Sequence, residues 1–209
     1  MTVELKDAVR KRRMVRDFDP DRPVPREVLD SAVRLGLRAP SAGFSQGWDF
    51  VVLTDPADRQ AFWDATTDAD EEMDRWLAKV SSAPALILCC GDKNTYLRRY
   101  AQPDKPWQDM DDAHWPVPYW DVDTGMAALI MLLVGVDEGL GGLFFGVPVE
   151  RCDEVKAEFG IPDDRSLVGV VALGYPRSQK PSGSTRSRTR RPTGEVVHDG
   201  RFGRAWATD

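Results

Sequence analysis

The sequence predicts an α+β or α/β domain, and three observations carry that expectation. Ala85–Cys90 (ALILCC) and Ser166–Leu173 (SLVGVVAL) are short continuous apolar runs of the kind found in strands covered on both faces. Trp48–Thr54 (WDFVVLT) is rich in aromatic and β-branched residues and stops at Asp55-Pro56, so it reads as a third strand. Segments with helical apolar spacing alternate with these runs.

In chain order, residues 3–13 place Leu5, Ala8, Val9 and Arg12 at helical spacing, with Thr2 set to cap and Glu4 in the first turn. A second helix begins near Pro25, buries Val28, Leu29, Ala32 and Val33, and stops at Arg38-Ala39-Pro40. A loop joins it to the first strand, and residues 57–80 read as helical. From Gly91 to Trp120 no period survives. Those thirty residues hold six of nineteen aromatics and four prolines, about twice the expected aromatic share, which suggests a lid or binding insert. A self-packed, Trp-cornered surface loop is the plainer alternative.

Residues 121–138 give the clearest helix, with Asp121 and Asp123 at its positive end and an apolar run, Gly125 to Val134, on nearly every side. Such a helix must be buried all round, either in the core or at a subunit interface. Gly139 reads as its left-handed cap. Pro148 opens a further helix through Phe159 that Gly160 closes. From Gly174 onward the chain is rich in Ser, Pro, Thr and Arg and lacks an apolar period, so residues 174–209 read as a tail needing a partner.

With 209 residues, the chain is expected to reduce its exposed area to ~9,700 Å² as one domain over 1–209. Its 28 basic and 34 acidic side chains give a net charge of −6, which argues against a general nucleic-acid coat or a polybasic membrane binder. The longest uncharged apolar run, Gly125–Val136, is too short to span a bilayer, and no signal-peptide core opens the chain, so a cytoplasmic protein is expected. Cys89, Cys90 and Cys152 lack metal spacing, and His114 and His198 are the only histidines. Neither a metal site nor a histidine-based triad is therefore expected.

Against that acidic background, Arg10, Lys11, Arg12, Arg13 and Arg16 put five cations in seven residues, and Arg186, Arg188, Arg190 and Arg191 form a second group. A solvated cationic face explains one such run; two raise the chance of a shared anion, for which arginine is suited. A phosphorylated cofactor and a nucleic-acid backbone both satisfy this, and the acidic total favours the small ligand. The small residues of Arg38–Trp48 (RAPSAGFSQGW) would let backbone approach a flat heterocycle, though a plain connection serves equally.

RRMVRDFD (12–19), APSAGFSQGWDFVVL (39–53), the apolar helix followed by GLGGLFFG (139–146), LVGVVALGYP (167–176) and RTRRPTGEVVH (188–198) together resemble the FMN-dependent nitroreductase family, in that family's order. The resemblance implies an α+β fold with a central mixed sheet flanked by helices. It also implies an intertwined homodimer whose C-terminal tail lies on the partner subunit, with FMN at the interface. Arg12, Arg13 and Met14 would meet the flavin phosphate and ribityl chain, Arg16 the N1 edge of the ring, and Arg188 and Arg190 the phosphate again. Pro40, Ser41 and Ala42 would come from the other subunit's loop, the backbone near Phe144, Phe145 and Gly146 would lie along the ring, and Phe44, Gln46 and Leu143 are further expected cofactor contacts. Arg16, Phe145 and Gly146 are the implied catalytic positions; Phe44 is an expected substrate contact, and the aromatic composition of the insert adds Tyr96, Trp107, Trp115 and Trp120 as expected substrate contacts.

Those roles have physical reasons: a fixed cation stabilises reduced flavin, and hydride transfer needs positioning more than a protein acid or base. Met14 stands where the family often has Ser, Phe44 where it often has Asn, Gly47 where it often has Pro, and Ile130 where it often has Asn. No GxGxxG supports a resident nicotinamide domain. The leading expectation is an FMN oxidoreductase taking hydride from NAD(P)H and reducing a small aromatic acceptor, a nitroaromatic or quinone. A specialised enzyme of the same superfamily that oxidises or dehalogenates a biosynthetic intermediate, a flavin-binding protein without NAD(P)H turnover and, last, a nucleic-acid binder remain alternatives.

Overall fold

The computed structural model describes residues 4–67, 76–177 and 187–206. They fall into two units, a body ending at Ser178 and a C-terminal unit from Gln179. In the body, α1 (Leu5–Lys11) and α2 (Arg26–Gly36) precede β1 (Trp48–Leu53), α3 (Pro56–Thr66), α4 (Leu77–Val80) and β2 (Ala85–Asp92). Then follow α5 (Lys93–Tyr100), α6 (Tyr119–Asp137), β3 (Gly141–Phe145), α7 (Cys152–Glu158) and β4 (Arg165–Gly174).

The four strands form one sheet in the order β1-β2-β4-β3, and every neighbouring pair is antiparallel. The expected mixed sheet is thereby corrected to an antiparallel one; the parallel pairing is the isolated Met14–Gly142 bridge. Continuous apolar runs report two covered faces and say nothing of direction. In β2 all eight residues are buried. Leu86, Leu88 and Cys90 join Phe62, Trp63 and Val155 of α3 and α7 on one face, while Ala85, Ile87 and Cys89 join Leu29, Ala32, Ala128, Met131 and Leu132 of α2 and α6 on the other. The period of two thus divides one strand between two helical layers.

Close approach of α6 requires small residues opposite its larger ones. A Cβ on Gly36 would lie 2.7 Å from Met131 Cε, and one on Gly142 would lie 2.6 Å from Leu132 Cδ2. Nineteen residues long, α6 extends past the twelve-residue uncharged run and is long and apolar enough by composition to cross a membrane. It instead packs on α2, α1 and three strands. Its burial is not all-round: Leu129 is 48% exposed, Val122 is exposed, and Met126, Ile130 and Leu133 are half-buried.

Several boundaries differ from the sequence reading. The proposed Thr2 cap lies outside the described residues, and Glu4 precedes α1 without a side-chain cap. Of the stretch expected to be helical over 57–80, residues 57–66 lie in α3 and 77–80 in α4, with 68–75 outside the described residues. β3 was not expected, because its two glycines carry no side-chain pattern. The thirty-residue loop is shorter than expected, because Gly91 and Asp92 finish β2, residues 93–100 form α5, and α6 starts at Tyr119. Helix α5 buries only the adjacent Tyr96 and Leu97, so no helical period marks it.

The C-terminal unit contains α8 (Thr193–Val196) and a His198–Ala205 bridge. It leaves Phe202, Trp206 and Val196 exposed.

Burial holds the Cys89 thiol at about 12 and the Cys90 thiol at about 11, and neither is exposed; Cys152 is partly exposed. Thiolate being the nucleophile, a disulfide reagent at pH 8 is expected to titrate only Cys152 in the native protein and all three thiols in denaturant. Rapid native reaction of two or more thiols would contradict the described core.

Candidate functional site

Two groups of the expected site residues are built by different elements. After α1, the chain runs beside the edge of β3, where Val15 N donates to Gly142 O at 2.9 Å. Gly141 permits that approach, since a Cβ there would lie 2.6 Å from Val15 Cγ2. This pairing brings Arg12–Arg16 alongside Gly141–Phe145. Arg12 and Arg16 are half-buried and Arg13 is exposed. Arg16 engages one of its five donors on Met14 O at 3.1 Å.

Side chains and backbone of the β3 segment separate in role. Leu143 is core, with 1% exposure. Phe145 stacks on Trp63 at 5.7 Å and meets Phe62 and Trp76 edge-on, while Phe144 covers Gly169 on the opposite face. These rings are engaged in packing, so the backbone from Leu143 to Gly146 is what the edge offers a ligand. Gly146 is exposed, with open space where a Cβ would stand.

The second group is the loop entering β1. Pro40 is exposed, Ala42–Phe44 form a 3₁₀ turn, and Gly43, Phe44 and Gln46 have φ of 60°, 56° and 55°. Left-handed backbone at two non-glycine residues costs ~1–3 kcal/mol each and persists where the surroundings over-determine it. Here they do so through a set of hydrogen bonds. Ser41 Oγ accepts from Gln46 N, Ser45 Oγ donates to Ala42 O, Phe44 N donates to Ser41 O, Arg99 Nε donates to Gly43 O, and Asp123 accepts from Ala42 N. Phe44 is left 76% exposed on this constrained turn.

Helix α5 shapes the loop from behind. A Cβ on Gly47 would lie 2.6 Å from Tyr96 Cε2 and 2.7 Å from Asp92 O, so Gly47 and Tyr96 are a small–large pair. Tyr96 is fully buried and donates to Asp123 Oδ2 at 2.7 Å. Burial and that bond push its phenol above the usual range. Its ring therefore faces core, not ligand. Trp107, Trp115 and Trp120 are half-buried in an aromatic cluster: Trp115 meets Tyr96, Tyr100, Trp107 and Trp120, and Trp107 stacks on His114 at 4.7 Å. The insert is thus packed on itself and on α5, with Trp115 Nε1 buried and lacking an acceptor.

Arg99 ties this insert to the loop, because its Nη1 and Nη2 grip Asp104 at 2.8 and 2.7 Å while Nε holds Gly43. That guanidinium lowers the Asp104 carboxyl to about 2. Nearby at the same end of the sheet, Arg165 joins Asp49, Asp92 and Asp164. Neither Asp123 nor Arg99 was recognisable as a loop holder. Asp123 read only as a charge at a helix start, and its acceptor role spans 81 positions of sequence.

The loop and the arginine segment lie at opposite edges. β1 and β3 are separated by β2 and β4, which at strand spacing is ~14 Å. The register puts Trp48 and Phe145 toward the same end of the sheet. In the C-terminal unit Arg188 and Arg190 are exposed, Arg191 pairs with Glu195, and Arg186 lies outside the described residues. Among the described residues no three His, Cys, Asp or Glu side chains converge as metal ligands.

A family model described as the nitroreductase family matches residues 9–175. A relative from Methanothermobacter thermautotrophicus, provisionally named NADH dehydrogenase/NAD(P)H nitroreductase, is 28% identical over 178 residues, covering 83% of this chain and 78% of its own. Nitroreductase A of Vibrio parahaemolyticus shares the fold at a TM-score of 0.73 and 24% identity, over 97% of this chain and 77% of that one. An FMN-dependent nitroreductase of Clostridium difficile does so at 0.68 and 20%, over 93% and 98%.

Replacing Gly47 by alanine forces Tyr96 and the Asp92 backbone to move, with an expected loss of ~1–3 kcal/mol. A lower urea midpoint at unchanged slope would show it; an unchanged midpoint would refute the tight pairing. Because the Asp104 carboxyl is lowered on folding, its tie to Arg99 contributes fully above the ordinary carboxyl value of ~3.9 and is lost as pH falls through about 2. Carbon NMR of the side-chain carboxyls should find Asp104 titrating near 2, and Arg99→Gln should return it toward ordinary values.

Proposed function

Because the chain belongs to the nitroreductase family, we propose that it is an FMN-dependent oxidoreductase that takes reducing equivalents from NAD(P)H and delivers them to a small planar acceptor, a nitroaromatic or quinone. The observation that carries this reading is the pairing of Met14 and Val15 with the β3 edge, which sets a cationic segment beside exposed backbone at Gly146. A phosphate suits the arginines and a flat polar ring suits the strand edge, so the residues present fit the cofactor.

Bound FMN would supply a carrier able to accept and release two electrons and a hydride. Arg12 and Arg13 would hold its phosphate, with Arg188 and Arg190 as the later basic pair. Arg16, half-buried and oriented by Met14 O, would put fixed positive charge beside the ring's N1 edge. Backbone at Leu143–Gly146 would fix the ring laterally, and Gly146 leaves room for a reactant to approach. Phe44 would offer a ring for stacking a planar reactant, and Trp107, Trp115 and Trp120 would wall the site from water. Positioning carries the work, in keeping with a site that lacks a histidine base.

A homodimer completes this reading. The loop around Phe44 and the arginine segment occupy opposite sheet edges, so a two-fold arrangement would set one copy's loop at the other's β3 edge. The exposed stripe of Leu129 and Val122 on α6, with Leu5 and Val9 on α1, supplies an apolar contact surface. Edge strand β1 with its exposed Val52 offers backbone pairing groups, and the C-terminal unit carries exposed apolar residues suited to covering a partner.

The purified protein should retain FMN through desalting, and anaerobic NADPH or NADH should bleach the flavin bands. Failure to retain flavin would overturn the cofactor assignment; retained flavin that stays oxidised would overturn the reductant. Arg12→Ala should weaken FMN binding ~10-fold or more, as expected for one charge-assisted phosphate contact. Leu129→Arg should convert a dimer to a 23.4 kDa monomer and weaken FMN with it; an unchanged assembly would remove α6 from the interface.

A further inference from the structure

We propose that Asp123 is the positioning residue of the ligand-facing loop: one buried carboxylate oxygen fixes Ser41–Gln46 in its left-handed turn and so holds Phe44 outward as the stacking surface for a planar ligand. The proposal rests on the functional reading above and extends it to a residue in α6 that touches no ligand.

Asp123 is 2% exposed, and its Oδ2 accepts from both Ala42 N at 2.8 Å and Tyr96 Oη at 2.7 Å. A buried carboxylate is costly to desolvate unless its acceptor sites are filled, and the Ala42 amide is one of two donors that fill this one. The bond therefore works both ways, satisfying the carboxylate and fixing the first residue of the turn. Tyr96 fixes the oxygen from the other side, and the same ring leaves room at position 47 only for glycine. Beyond Ala42 the turn carries the non-glycine residues at positive φ among the described residues, Phe44 and Gln46. Phe44 is nevertheless largely exposed, so burial of its ring does not stabilise that backbone. Beyond the hydrogen bonds within the loop, the turn is restrained from α5 and α6, through Arg99 at Gly43 O and Asp123 at Ala42 N. Of the two side chains, Asp123 is the buried one, at 2% exposure, while the Arg99 side chain is 30% exposed.

The test compares flavin-loaded wild type, Asp123→Ala and Asp123→Asn by hydrogen exchange over residues 42–48, FMN dissociation constant, and visible circular dichroism of the bound flavin. Asparagine keeps an oxygen that can accept both bonds. Asp123→Ala should raise loop exchange and weaken FMN each by ~10-fold, the equivalent of one charge-assisted hydrogen bond, while Asp123→Asn stays within ~3-fold of wild type. The flavin dichroism should change in the alanine variant only. If Asp123→Ala fails to fold, Ala42→Pro removes the same donor. Proline suits the first position of the turn, and Ser41 already has the extended backbone that precedes proline. It should reproduce the loss with Asp123 intact. Wild-type affinity and dichroism in the alanine or proline variant, or a loosened loop without weaker FMN, would overturn the positioning role while leaving the functional reading standing. A wild-type protein that retains no FMN would overturn both.

Discussion

Helix α6 can lie against the sheet only where its neighbours are small, and much of the rest of the body follows from that close approach. Gly36 admits Met131, Gly142 admits Leu132, and Gly135 lets Leu173 come up to the helix itself. Seated so closely, α6 covers one face of β2, β3 and β4 and presents its first turns to the loop that enters β1. There Asp121 meets Ser166 Oγ and Asp123 meets Ala42 and Tyr96. A single apolar element thus holds both the core and the polar junction behind the loop. Its outward stripe is left over from the same composition: a helix apolar on nearly every side has more apolar surface than one sheet can cover.

The sheet order sets the second constraint. With β1 and β3 at opposite edges, the loop and the arginine segment are each shaped completely within one chain yet kept apart by two central strands. Each half is rigid for its own reason. The β3 half is fixed by backbone pairing and by the packing of Phe144 and Phe145 to opposite faces; the loop half is fixed by its own hydrogen bonds and by side chains from α5 and α6 acting on backbone groups. Two pre-formed halves that cannot meet in one copy are consistent with a site shared between copies, as proposed here.

The aromatic insert has a double character. Tyr96 and Tyr100 belong to a helix that buttresses the loop, and the tryptophans pack over them, so the aromatic excess is first a packing device. Arg99 joins the two regions by gripping Asp104 on one side and the Gly43 carbonyl on the other. The insert and the loop are therefore mechanically coupled.

Periodicity and composition alone determined the three long strands, the helices of the body other than α5, and the caps at Gly139 and Gly160, because each of these depends on neighbours in sequence. The motifs that resemble the nitroreductases, from Arg12 to the β3 segment, were legible for the same reason. Strand direction was not: a buried apolar run looks the same in a parallel or an antiparallel sheet. Strand β3 escaped because its two glycines carry no side-chain pattern, and α5 because only two adjacent residues of it are buried. Tyr96 looked like a ligand contact by composition and is core by geometry. Asp123 looked like a helix-start charge and is the acceptor behind a loop 81 residues away. Those outcomes were decided by tertiary structure, since a hydrogen bond or a close approach between distant segments leaves no mark on the local sequence of either one.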